Sequence, residues 1–92
     1  MVNPDGVGSI ISIKPNPTSN ELKLDLQLVE KGITKIFLTD ILGNVVKILS
    51  DREMQIGNQS LTFFIKDIPS GKYFLILQTP TIFQREAIEV IR

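Results

Sequence analysis

Among the acidic side chains, Asp25, Glu30, Asp40, Asp51, Glu53 and Asp67 have the most chemistry to offer. Paired carboxylates can share acid–base work across a bond, and clustered ones can bind calcium through oxygen. None of the six stands in a loop with the Asp-x-Asp-x-Asn-Gly spacing of a calcium site, and Asp51-Arg52-Glu53 reads as a solvated turn. The chain has no His and no Cys, so the common general base, the thiolate nucleophile and thiolate metal ligands are all missing. The expectation is therefore no catalysis, no metal, no cofactor and no small-molecule substrate. Five Phe, one Tyr and no Trp offer little flat surface for sugars, with Phe64 and Phe74 as the candidates for stacking.

Ninety-two residues make one domain with a modest core. Ten basic and ten acidic residues cancel and are scattered, whereas a nucleic-acid surface needs a basic stripe. No apolar run is long enough to span a membrane as a helix. The opening "MVNPDGVGSI" lacks a basic region followed by an apolar stretch, so it is not a secretory signal. The expectation is a piece of a longer precursor whose signal lies upstream. Residues 1–9, rich in Gly, Pro, Asn and Asp, read as a flexible linker, with residues 10–92 as the folded unit.

The elements that must position any site are strands. From Glu21 to Leu28 leucine and polar residue alternate without a fault, which places four leucines on one face. The same period predicts strands at 10–14, 34–39, 45–49, 61–66, 72–79 and 83–91. Turn chemistry separates them at "EKG" (30–32), "DILGN" (40–44), "IGNQ" (56–59), "IPSG" (68–71) and "TPT" (79–81). Seven short strands at this spacing predict an all-β, seven-stranded antiparallel immunoglobulin-like β-sandwich, since two half-apolar sheets cover one another. The predicted core is Ile11, Ile13, Leu22, Leu24, Leu26, Ile36, Leu38, Val46, Leu61, Phe63, Ile65, Tyr73, Leu75, Leu77, Ile88 and Val90. "KYFLILQT" is apolar on both faces and belongs at the centre of a sheet. The final strand follows no single clean alternation, which leaves room for a bulge or an early end.

Three boxes punctuate this pattern. In "KPNPTS" two prolines fix φ, remove two donors and stiffen the approach to the next strand, a rigid sandwich corner. In "TDILGNVV" Asp40 can accept from nearby backbone amides and Gly43 can take positive φ, closing a hairpin. In "DIPSGKYFLILQT" Pro69 and Gly71 shape a turn, and Tyr73 brings a hydroxyl that needs a partner.

Taken in order, Pro-Asn-Pro, Asp-x-x-Gly with Val-Val, Pro-x-Gly-x-Tyr-Phe-Leu and a last strand ending on a basic residue resemble the type A C-terminal sorting domain of the type IX (Por) secretion system. The resemblance runs from about Ile10 to Arg92. It implies an immunoglobulin-like sandwich that directs an upstream cargo across the outer membrane to the cell surface or medium of a Gram-negative bacterium. The implied partners are outer-membrane translocon components, a sortase-like peptidase and the cargo in cis. Carried over by position, the sorting motif is Pro15, Asn16, Pro17, Asp40, Gly43, Gly71, Tyr73, Val90, Ile91 and Arg92. The cleavage linker is Gly6, Val7, Gly8 and Ser9. Two departures from the family pattern are Lys14, where many members carry an apolar residue, and Glu89, which separates Ile88 from Val90.

Each motif residue also has a plain structural role, as corner, turn or core. If the last strand lies at a sheet edge, its unpaired backbone is a template for strand addition by a translocon component, or for self-pairing into a homodimer. The alternative from another class is an immunoglobulin- or fibronectin-like cell-surface binding or spacer module, with carbohydrate as its ligand.

Overall fold

A computed structural model of the chain describes residues 9–15 and 17–91. Seven strands follow in order: β1 (Ser9–Lys14), β2 (Glu21–Leu28), β3 (Gly32–Thr39), β4 (Val45–Met54), β5 (Gly57–Phe64), β6 (Gly71–Gln78) and β7 (Phe83–Val90). They form a three-stranded sheet, β1-β2-β5, and a four-stranded sheet, β4-β3-β6-β7, with every ladder antiparallel. The expected all-β sandwich is what forms. β6 lies between β3 and β7, the central place its two apolar faces predicted.

The inner faces build one core. Leu22, Leu24, Leu26 and Leu28 of β2 meet Ile36, Leu38, Tyr73, Leu75, Leu77, Ile88 and Val90 of the opposite sheet. Each fully buried aliphatic side chain contributes about 1.5–3 kcal/mol of transfer free energy. Ile13, Leu61 and Phe63 pack against this core from partly buried positions. The burial of Ile11 lies outside the described residues, as do Gly6, Val7, Gly8, Asn16 and Arg92.

Four expectations need correction. Val46 is 41% exposed rather than core, because the β3–β4 register slips between Leu38 and Thr39 and turns it outward. Met54 and Ile68 are buried in the core, though the alternation marked neither. Asp51-Arg52-Glu53 is not a turn: these residues pair with Lys35, Thr34 and Ile33, extending β4 to Met54. Gly57, Asn58 and Gln59 likewise belong to β5, paired with Leu28, Gln27 and Leu26, so the break shrinks to residues 55–56. In both places a polar stretch is held by backbone bonds to the neighbouring strand, which outweigh its weak strand propensity.

β7 runs in unbroken register with β6 from Phe83 to Val90. Its uneven apolar pattern has a simple cause: Ile82 precedes the strand, Ile91 follows it, and Ala87 faces away from the core side that holds Ile88 and Val90. Glu89 is the outward residue between two buried ones, so its departure from the family pattern obeys the period of two.

Candidate recognition site

Strictly antiparallel strands sort the connections into two ends of the sandwich. One end holds the connections 15–20, 40–44 and 65–70 together with the close of β7. The other holds 29–31, 55–56 and 79–82, and the start of β1. All three sequence boxes and the last strand's end therefore share one pole, while the lead-in joins the opposite one.

At the motif pole β1 stops because Pro15 and Pro17 have no amide to continue its ladder. The Lys14–Pro15 peptide is cis. The chain then reaches across to the other sheet. The Thr18 amide donates to the Glu89 carbonyl (2.9 Å), and the Ile91 amide donates to the Thr18 carbonyl (2.8 Å), a single parallel bridge centred on Val90. The Thr18 hydroxyl donates to the Glu21 carbonyl, and the residue is only 3% exposed. The Ile65 amide then donates to the Asn20 carbonyl (2.8 Å) as the chain returns to its own sheet. Pro15 and Pro17 stay on the surface. The proline box is thus a strap between the two sheets, one step more than the corner expected of it.

The 40–44 hairpin is closed by one carboxylate. Asp40 Oδ1 accepts from the Leu42 and Asn44 amides, each at 2.9 Å, and Oδ2 accepts from Asn44 Nδ2 at 3.2 Å. Gly43 takes φ of +93°, which a side chain would resist. The Asn44 amide is the main cause holding the Asp40 carboxyl below its usual range. This tight frame lifts Ile41 and Leu42 into solvent, at 67% and 82% exposure. Ile41 also leans over the start of β6 and the end of β7, sharing a groove with Tyr73, Ile88 and Glu89.

In the third box the Tyr73 hydroxyl donates to the Pro69 carbonyl (2.7 Å), and its ring lies beside Gly71. Gly71 and Tyr73 pair with Val90 and Ile88, so this box supports the end of β7 from the inner side while Thr18 holds it from the outer. Lys47 pairs with Asp67 at 2.9 Å across the β5–β6 connection.

Of the motif residues, Val90 is buried and Ile91 half exposed, Gly71 and Tyr73 pair with Val90 and Ile88, and Pro15, Pro17, Asp40 and Gly43 lie in the other connections of the same pole. The residue that ties the set together, Thr18, was inside the first box but carried no motif role in the sequence. The strand count was its signal, because alternating direction brings the three boxes to one end. Of the linker residues, Ser9 is the first residue of β1, paired with Gln27. Phe64 and Phe74 lie on different sheets, so they form no joint stacking platform. Among the described residues no group of three or more His, Cys, Asp or Glu is placed to hold a metal ion, and no helix could cross a membrane.

No curated protein matches the chain. A family model described as a secretion system C-terminal sorting domain matches residues 12–89. That span covers the strap, the hairpin, the tyrosine box and nearly all of β7, and it disfavours the spacer alternative. The chain therefore belongs to the C-terminal sorting domains of the type IX secretion system, modules that direct an attached cargo across the outer membrane to the cell surface or medium.

Proposed function

We propose that outer-membrane translocon components read the motif pole as one folded surface, with the proline box and the end of β7 as its centre. The observation that carries this reading is the Thr18 bridge, which ties the proline box to Glu89 and Ile91. In this reading Pro15, Asn16, Pro17, Val90, Ile91 and Arg92 are the residues recognised, while Asp40, Gly43, Gly71 and Tyr73 act as their frame. The module spans residues 10–92, and residues 1–9 link it to its cargo. A sortase-like peptidase cuts within Gly6, Val7, Gly8 and Ser9, before or at the start of β1. The module itself performs no catalysis.

Strand addition by a translocon component, or pairing with a second copy, would use the outer edge of β7. At the end of β7 both require Thr18 to release Glu89 and Ile91. Reading the strap in place requires no such release, which favours it.

The test is a fusion of residues 9–92 to a periplasmic reporter in a host bearing the translocon. The native fusion reaches the surface. Ile91→Asp, at a half-exposed position, keeps the native melting curve and strands its reporter in the periplasm. A native fusion that stays periplasmic, or an Ile91→Asp fusion exported like the native one, defeats the reading.

A further inference from the structure

The two outer faces of the sandwich are unlike. On the three-stranded sheet β2 turns out Glu21, Lys23, Asp25 and Gln27, and Asp25 is tied by the Ser12 and Ser60 hydroxyls at 2.9 and 2.8 Å. The four-stranded sheet instead turns out Phe37, Phe74, Ile76 and Phe83. Ile76, although on an outer face, is only 3% exposed because its neighbours wall it in as a floor. The 40–44 hairpin overhangs this floor and completes a groove of about 380 Å³.

Three features set this groove apart from incidental surface. Its roof is a rigid turn whose two tip residues are aliphatic, where turn chemistry would favour polar ones. Its only charged lining residue is Arg85. That guanidinium lies 4.6 Å from the centre of the Phe74 ring and forms no ion pair among the described residues. A cation stacked on an aromatic wall keeps its in-plane donors free for a carboxylate. The complement is an apolar side chain with a carboxylate close by.

We propose that this groove docks a segment of the secretion machinery in which an Asp or Glu is flanked by aliphatic or aromatic residues. The apolar side chains enter between Leu42 and Phe83 and cover Ile76, while the carboxylate accepts from Arg85. This proposal rests on the translocon being the module's reader, and it adds a second surface beside the motif pole.

The experiment uses the reporter fusion in translocon-bearing cells, with a photo-crosslinking residue at position 42 and a control at position 23 on the polar face. Position 42 is expected to cross-link to a translocon protein at a peptide holding a carboxylate within a few residues of apolar ones, and position 23 is not. Arg85→Glu and Leu42→Asp are expected to lower export about tenfold or more without shifting the melting curve, and Arg85→Lys keeps most of it. Exchanging the mapped acid for lysine is expected to restore export of Arg85→Glu. Cross-links only to lipid, to a second copy, or to a segment without a carboxylate overturn the proposal. So does native export by Arg85→Glu and Leu42→Asp. If those two export normally while Ile91→Asp does not, the groove falls and the motif pole stands; the reverse result sinks the pole and leaves the groove.

Discussion

The two poles of this sandwich are closed in different ways. At the lead-in pole the connections are short, and residues 29–32 and 79–82 fasten to one another. Glu30 accepts from the Thr79 and Thr81 hydroxyls at 2.6 and 2.5 Å and from the Thr81 amide, and Gly32 sits so close to Pro80 that an added Cβ would lie 2.7 Å from its ring. At the motif pole the connections are longer, and they bind one another and the end of β7. Thr18 holds Glu89 and Ile91, and the Ile65 amide donates to the Asn20 carbonyl. One end is built to finish a fold. The other spends backbone on arranging a composite surface that the core alone does not require.

Substitutions can break this contrast in order of size. Val90→Asp puts a carboxyl into the core at the motif pole and is expected to cost about 4 kcal/mol or more, abolishing folding and export together. Denaturant unfolding measures it, and a stable Val90→Asp variant would mean the end of β7 is not docked. Gly32→Ala forces Pro80 to shift and is expected to cost about 1–3 kcal/mol, with export retained. Loss of export from a still-folded Gly32→Ala module would place function at the wrong pole.

Much of this architecture was legible in the sequence. The faultless alternation of β2 and the two-faced apolar run of β6 gave their faces directly, since burial on one or both sides leaves an unmistakable period. β4 was legible only as far as Leu49. Beyond it the strand lies on an exposed edge, and an edge that buries little carries little hydrophobic pattern. Val46 misled because two register slips in the β3–β4 ladder rotate the side chains, and a slip has no signature in one strand alone. The motif residues were visible as turn-makers. Their convergence was not, because the Thr18–Val90 bridge joins residues far apart in the chain through backbone atoms that any residue type supplies.

The smallest expected effect is on acid stability. Hydrogen bonds hold the Asp40 and Glu30 carboxyls below their usual values, chiefly from the Asn44 amide and the Thr79 hydroxyl respectively. A carboxyl depressed in the folded state stabilises it above the unfolded value and loses that contribution as pH falls through the folded one. Melting temperature should therefore fall as pH drops from about 5 towards 2, and Asp40→Asn and Glu30→Gln should each flatten the curve. A melting temperature that rises on acidification, or an unchanged slope in both variants, would contradict the assigned bonds.

The central claim is that export is read from the motif pole and not from stability at large. Surface export and melting temperature measured together on Pro15→Ala/Pro17→Ala and Gly32→Ala fusions test it most directly. The double proline variant is expected to stay folded and to leave its reporter in the periplasm, while the Gly32→Ala module, about 1–3 kcal/mol less stable than the native one, still exports. Export that instead follows melting temperature, lost in Gly32→Ala and kept in the proline variant, would contradict the account.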